Sequence, residues 1–514
     1  MRNARRALLL GVIAAPPAAG QQNPLPHIDA YVEKARREWR VPGIAVSIVK
    51  DDSVIFAKGY GTREVGRVAP VDPHTLFAIG SATKAFTTAS IAMLAEEGRI
   101  AWDDQATKYL PELRISDAWV TREVTLRDLA SHRIGLERGD WLWESSPNTR
   151  EDVLYRMRFL KPFRGFRADY VYSNLAFLAA GQIVAKVSGM IWDEFVRQRI
   201  FEPLGMTTSN TSNSALPRDG NVAAHHAEID GAIQAIPRLN MDAVGPAGSI
   251  NSNVLDMAQW LRLHLGGGVY RGKRLLRGES IREMQSPQTV IRVGRWLSSP
   301  SPVTQMMVPD THFFLYGLGW FLQDYRGRKI LHHAGVVDGM RALVGMIPEE
   351  GLGVVVLSNL SPAAIDEAVM LRVFDHYLGG VTRDWSAEML AGARRLAEQG
   401  LAARAEEESR RVKGTSPSLP LSQYVGTYAD SAYGPVRIAE GDGGLTIEWG
   451  LRVGDLAHWH FDTFRVTWRV ARRRTQLVTF TLGSQGTVET LVVPGEREFQ
   501  RVREAALPGA RSRR

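Results

Sequence analysis

Ile79-Gly80-Ser81-Ala82-Thr83-Lys84-Ala85-Phe86 is the stretch on which the reading of this 514-residue chain turns. It sets a serine and a lysine three residues apart at the opening of an apolar segment that runs through Ser90-Ile91-Ala92-Met93-Leu94-Ala95. That segment reads as a long buried helix, anchored by Phe86, Ile91 and Leu94 and stopped at Gly98. Positions i and i+3 share a helix face, so the Lys84 amine reaches the Ser81 hydroxyl. A serine hydroxyl is a poor nucleophile at neutral pH and needs a base beside it. Lysine can serve when burial and nearby cations lower its pKa; moving it from about 10.4 to about 7 costs roughly 4–5 kcal/mol. The same two residues also describe a helix-capping serine beside a solvated lysine, so the tetrad alone leaves both readings open.

A second tetrad, Ser47-Ile48-Val49-Lys50, has the same spacing. It lies in Gly43–Lys50, whose β-branched residues and flanking turn signals read as a strand. A strand sends i and i+3 to opposite faces, so Ser47 and Lys50 cannot act on each other. Working outward, Pro26 to Trp39 places Ile28, Tyr31, Val32, Ala35 and Trp39 near helical spacing. Strand Gly43–Lys50 is followed by Ser53–Gly59, with Asp51-Asp52 as a hairpin turn. Beyond the Ser81 helix a mainly helical region runs to about Leu265, with Leu126–Ser131, Asn174–Ser188 and Ile191–Ile200 carrying the periodicity. Asn253 with Asp256 reads as the cap of a helix Val254–Leu265. Strand character returns at Gly317–Gln323, Arg328–His333, Arg341–Ile347 and Gly353–Leu357, and a helix follows over Ala363–Leu378.

The expected fold class is α+β. An antiparallel sheet built from both chain ends and flanked by helices carries an inserted all-helical lobe, and the cleft lies between the two. This catalytic unit spans 25–380. Residues 381–415 read as an exposed helical linker, and Thr415-Ser416-Pro417-Ser418-Leu419-Pro420 marks a boundary. Residues 416–505 show short alternating strands at Val436–Ala439, Leu445–Trp449, Thr463–Val470, Leu477–Leu482 and Val488–Val493. They predict a small all-β, barrel-like domain, and 506–514 form a basic tail.

Composition bounds the function. The chain is 44% hydrophobic and 23% charged, as in ordinary soluble proteins. Three arginines in Met1–Arg6, the apolar run Ala7–Ala15 and the small residues of 16–20 have the layout of a signal peptide over 1–20. The expected location is therefore periplasmic or secreted, with no stable membrane span after signal removal. With no cysteine, thiol catalysis, zinc–thiolate sites and a lipidated N-terminal cysteine are excluded. The net charge of +8 is modest and spread out, which argues against nucleic acid as a partner. No phosphate-binding glycine loop and no His-Glu-x-x-His appear. The expectation is no cofactor and no metal; His458 and His460 lack a third partner.

Two further motifs lift the reading of Ser81. Tyr172-Ser173-Asn174 stands at a helix entrance, and His333-Ala334-Gly335-Val336 ends a strand. With Ser81-x-x-Lys84 they resemble, in order, the three active-site motifs of the serine β-lactamase and penicillin-binding-protein superfamily. The similarity is to its class C-like branch, which includes D-aminopeptidase and esterase relatives and often carries a small C-terminal β-barrel. Val124–Leu129 with His132-x-x-Gly135, Pro203-Leu204-Gly205-Met206 and Pro246-Ala247-Gly248-Ser249-Ile250 follow in the same order. The resemblance covers about residues 25–380.

It implies that Ser81 attacks a carbonyl, that Lys84 and Tyr172 move the proton, and that Asn174 orients Lys84 and binds substrate amide. It also implies an oxyanion hole of the Ser81 and Val336 N–H groups. Lys84 and, if protonated, His333 would supply the cations that a tyrosinate needs. Where the family often has Lys-Thr-Gly, this chain has His333-Ala334-Gly335, losing a permanent cation and a hydroxyl. That departure favours an amide, peptide or ester over a penicillin; the expected substrate is a small molecule or peptide, D-configured and peptidoglycan-derived ones included. The alternative is a β-lactamase or a penicillin-binding sensor acylated with little turnover. Trp141 and Trp143 read equally as an acyl-pocket lining or as packing under a loop, and His225-His226 stays undecided. The sequence leaves the oligomeric state open.

Overall fold

The hairpin at Asp51-Asp52 forms one edge of the main sheet. Both aspartates have positive φ, 49° and 61°, as a two-residue type I′ turn demands. They fold Gly43–Lys50 back on Ser53–Gly61. The computed structural model describes residues 23–217, 219–292, 311–380, 383–441, 443–470, 475–495 and 497–502. The expected signal segment 1–20 and basic tail 506–514 lie outside the described residues.

The other flank of Gly43–Lys50 pairs with Leu352–Ser358, Ile44 opposite Ser358 and Lys50 opposite Leu352. The antiparallel sheet continues through Met340–Ile347, Arg328–Val337, Phe321–Tyr325, Phe314–Tyr316 and Thr289–Val290, eight strands in all. It is built from both ends of the catalytic region, as the sequence predicts. Its central strands are buried on both faces. Val354 and Val356 pack under the helices Leu25–Glu38 and Ile365–Tyr377, while Val355 and Leu357 face the lobe. This two-sided burial explains their uninterrupted apolar sequence. The expected strand Gly317–Gln323 is instead split by a turn, in which Gly317 N–H donates to the Trp320 carbonyl (2.8 Å).

The lobe packs around Lys84–Glu96, Asn174–Ser188 and Val254–Leu265. Phe86 stacks on Trp260 with centroids 4.0 Å apart and meets Phe201 edge-on at 5.8 Å. The lobe also contains a hairpin, His225–Ile229 with Ala232–Ile236, that the helical reading passed over. Its turn is Asp230-Gly231, both with positive φ, a recognised hairpin signal. Asn253 caps the backbone N–H groups of Leu255 and Asp256, each at 2.9 Å. The Asp256 carboxylate does not close a capping box; it accepts from Thr208 and Ser209. Among the described residues no single helix is long and apolar enough to cross a membrane.

The helix expected over the linker runs Trp385–Ser409. Its first turns are not exposed: Trp385 and Met389 are buried against the sheet-backing helices, and the rest faces solvent. The C-terminal region closes into an eight-stranded antiparallel barrel from Gly426–Asp430 to Arg497–Arg501. Five of these strands were legible in the sequence. Gly426–Asp430, Arg452–His460 and Arg497–Arg501 were not, because charged residues and glycines interrupt their apolar alternation. Tyr428, Val436, Ile447, Val466 and Phe499 fill the interior.

Candidate active site

Ser81 sits in a 3-10 turn, Gly80–Thr83, that runs directly into the helix Lys84–Glu96. The serine is half-buried and the lysine, one turn inward, is fully buried. Lys84 Nζ lies 3.0 Å from Ser81 Oγ, 2.8 Å from Asn174 Oδ1 and 2.9 Å from the Ala247 carbonyl. Both carbonyl oxygens can only accept. A neutral Lys84 therefore gives them its two N–H bonds and turns its lone pair to Ser81. Burial pushes the Lys84 amine well below the usual lysine range; the Asp140 charge opposes this and the Arg138 charge assists it. The geometry and the titration shift both favour a base.

Tyr172 donates to Ser81 Oγ at 2.6 Å. Burial raises its phenol above the ordinary value, against the Ser81 hydrogen bond and the charge of Arg138, so the hydroxyl is neutral and stays a donor. The residues after it start a helix. Ser173 Oγ caps Ala176 N–H at 3.2 Å, and Ser173 N–H donates to His132 Nδ1 at 3.0 Å. His132 also packs its ring on Tyr172, centroids 4.2 Å apart. The His132-x-x-Gly135 motif thus holds the entrance that delivers Asn174 to Lys84.

Arg328–Val337 is an interior strand for its first half. Phe321–Tyr325 pairs with it only as far as His332, opposite Phe321. From His333 to Val337 that flank is released and lies against the Gly80–Thr83 turn. A Cβ on Gly335 would stand 1.8 Å from the Ile79 carbonyl, and one on Gly80, whose φ is +50°, 2.9 Å from Val336 N. Only glycines permit this approach. The strand returns through the two-residue turn Asp338-Gly339, with Val337 opposite Met340. Ladder alternation then leaves the Val336 amide on the flank facing Ser81.

His333 requires a correction. Burial pushes it down to about 3, so it is neutral and supplies no cation. Its Nδ1–H donates to the Ala334 carbonyl at 2.7 Å, and Nε2 accepts from Tyr316 O–H at 3.1 Å. Both nitrogens are occupied inside the protein.

Four contributors escaped the sequence reading: Asp140, Arg138, Tyr316 and the Ala247 carbonyl. Asp140 Oδ1 accepts from Asn174 Nδ2 at 3.0 Å and from Trp143 Nε1 at 3.1 Å, and Arg138 Nε donates to Oδ2 at 2.8 Å. No spacing rule points to them. Ala247 stands inside a quoted motif, but its part is played by the backbone. Trp143 is packing, as its burial shows. Trp141 stacks on Trp449 of the barrel, centroids 4.3 Å apart. It also lines a cavity of about 1100 Å³ that joins Arg138, Asp140 and Tyr172 to Tyr433, Arg452 and Trp468 of the barrel. His225 directs Nδ1 to the Asp338 carbonyl, bracing the turn behind Val336, and His226 directs its Nδ1 to the Asn359 carbonyl. His458 and His460 are separated by a bulge, and no group of three or more metal-ligating side chains forms among the described residues.

The β-lactamase family model matches residues 28–373, two thirds of the chain, and a model for a domain of unknown function, DUF3471, matches 410–505. The chain belongs to the β-lactamase family. Its members with this fold are serine hydrolases. The chain is 26% identical over 432 residues to unguisins hydrolase ungD' of Aspergillus campestris, covering 79% of this chain and 76% of that one. It is 23% identical over 350 residues to protein flp of Staphylococcus aureus, covering 66% and 64%. Among solved structures, an octameric penicillin-binding protein homologue from Pyrococcus abyssi aligns with a TM-score of 0.60 at 21% identity, over 93% of this chain and all of that one. A class C β-lactamase from Rhodobacter sphaeroides aligns at 0.54 and 21% identity, over 68% and 98%. These two extend the shared fold; for this family member the side-chain geometry carries the chemistry.

Proposed function

We propose that the protein is an exported hydrolase that cleaves an amide, peptide or ester through an acyl-enzyme on Ser81. The observation that carries this is the position of Ser81 Oγ, between Lys84 Nζ at 3.0 Å and Tyr172 O–H at 2.6 Å. Ser81 gives its proton to the Lys84 lone pair as Oγ bonds to the substrate carbonyl carbon. The oxyanion accepts from the Ser81 and Val336 N–H groups, each donor being worth about 2.7–4 kcal/mol in such holes. Tyr172 passes its proton to the departing nitrogen or oxygen and recovers one from Lys84. Water then attacks the ester and gives a proton to the same pair, which returns it to Ser81 Oγ as the acyl–Oγ bond breaks and the acid product leaves. Asn174 orients Lys84 and stands ready for the substrate amide.

The relatives named unguisins hydrolases support a hydrolytic outcome and a substrate outside the penicillins. The loss of a cation and hydroxyl at His333-Ala334, with both His333 nitrogens engaged internally, supports the same choice. A D-configured or peptidoglycan-derived peptide fits this class. Export rests on the composition of residues 1–20.

Intact-mass spectrometry with peptide mapping, after treatment with a fluorophosphonate or a penicillin, tests this reading. Modification of Ser81 by the fluorophosphonate alone is expected. A stable penicillin adduct without turnover would favour the sensor, and absence of both adducts on folded protein would overturn the catalytic assignment.

A further inference from the structure

The loop 137–146 touches the Ser81 cluster on one side and the barrel on the other. On the inner side, Asp140 can only accept hydrogen bonds, so it compels Asn174 to direct Nδ2 toward it and Oδ1 toward Lys84. Without that acceptor the Asn174 amide is free to turn over and present N–H bonds to an amine that must keep its lone pair for Ser81. The orientation of the base is thus decided by a carboxylate in a loop, two hydrogen bonds away from Lys84.

On the outer side the barrel holds this loop at four points. Arg497 donates to Glu137, and Arg452 to Glu144 at 2.7 Å. Trp449 stacks on Trp141 with ring planes 3° apart, and the Arg452 guanidinium lies 4.0 Å from the same ring. Leu451 N–H donates to the Ser145 carbonyl at 2.7 Å. Arg497 and Trp449 reach the loop from outside the cavity and do not line it.

We propose that the barrel is an activating clamp: it fixes the 137–146 loop so that Asp140 sets Asn174, and Asn174 sets the lone pair of Lys84. Trp449 and Arg497 are positioning residues for the reaction, acting through Asp140. This inference rests on the Ser81–Lys84 reading above for its catalytic consequence. The clamp itself does not depend on that reading.

The test uses the full-length chain with Trp449→Ala, Trp449→Phe, Arg497→Met and Asp140→Asn, each alone, and Trp449→Ala combined with Asp140→Asn. Two readouts are taken: the rate of fluorophosphonate labelling at Ser81 across pH, and hydrogen exchange of peptides covering 137–146 and 172–178. Trp449→Ala and Arg497→Met are expected to speed exchange in both peptides and slow labelling about tenfold, with Trp449→Phe restoring both. Asp140→Asn removes the charge that opposes Lys84 burial, so its labelling profile moves to lower pH as the maximal rate falls. In that background Trp449→Ala should add little. Unchanged exchange in 137–146 would overturn the clamp whether or not the serine labels. Faster exchange with undiminished labelling, or equal losses from Trp449→Ala in both backgrounds, would also overturn it, leaving the barrel a role in stability alone. A wild-type protein that never labels would sink the Ser81 reading, and exchange would still decide the clamp.

Discussion

Two Ser-x-x-Lys tetrads of identical spacing stand 34 residues apart in this chain, at Ser47–Lys50 and Ser81–Lys84. In the first, on a strand, Ser47 Oγ donates to the Val254 carbonyl at 2.8 Å while Lys50 reaches Asp51 at 2.5 Å. In the second, a 3-10 turn entering a helix, the two side chains meet and the amine is sealed from water. A spacing has no chemical meaning until the element under it is known. Burial separates the two lysines as much as geometry does, for Lys50 keeps contact with solvent beside a carboxylate partner.

The comparison is broken or sharpened by substitutions at both tetrads. Ser81→Ala should lower turnover by roughly 10⁶-fold, as loss of a nucleophile does elsewhere, with the melting temperature preserved. An active Ser81→Ala variant would return the two serines to equal standing. Lys84→Arg should cost about 10²–10⁴-fold, because a guanidinium cannot accept the proton. In the wild type, kcat/KM should rise with pH along a limb below the usual lysine range, and stopped-flow acylation would locate it. Tyr172→Phe should retain the fold and lose about 10²-fold or more in kcat, read from steady-state ester hydrolysis.

Acid separates the regions by stability. Burial holds His264 and His333 down to about 3, and His225 and His332 down to about 4, all from 6.5. The unfolded chain therefore binds more protons below about pH 6.5, and folded stability must fall as pH drops from there toward 4. Each group has a limiting slope of about 1.4 kcal/mol per pH unit. Calorimetry should show the catalytic region losing its transition temperature first, since all four of these buried histidines lie within it. Smallest of all, Ser47→Ala should cost about 0.5–1.5 kcal/mol by removing one buried hydrogen bond to the Val254 carbonyl, while kcat stays unchanged. A tenfold activity loss there would contradict the separation of roles.

Much of this was legible because the informative residues report on their own local geometry. The Asp51-Asp52 turn, the Asn253 cap and the apolar run of Leu352–Ser358 each state the element they make. Ser81, Lys84, Tyr172 and Asn174 were found in order, and the structure brings them together. What stayed hidden depends on partners far along the chain. The neutrality of His333 follows from its burial in the assembled fold, which no motif encodes. The Ala247 contact uses backbone, which any residue offers. Asp140 is one of many acids in the sequence, and only its meeting with Asn174 distinguishes it. The three unread barrel strands owe their place to closure of the barrel, which recruits even Arg452 and Arg497 into the ladder.

The pairing of both chain ends in one sheet also dictates an order of events during synthesis. Gly43 and Asn359 share a buried hydrogen bond across 316 positions, and closing such a loop costs on the order of 5 kcal/mol in chain entropy. A growing polypeptide already carries Ser81 and Lys84 long before Gly335 and Val336 emerge to frame them. Until that late strand arrives, the Gly80–Thr83 turn lacks the backbone that Gly335 and Val336 bring against it.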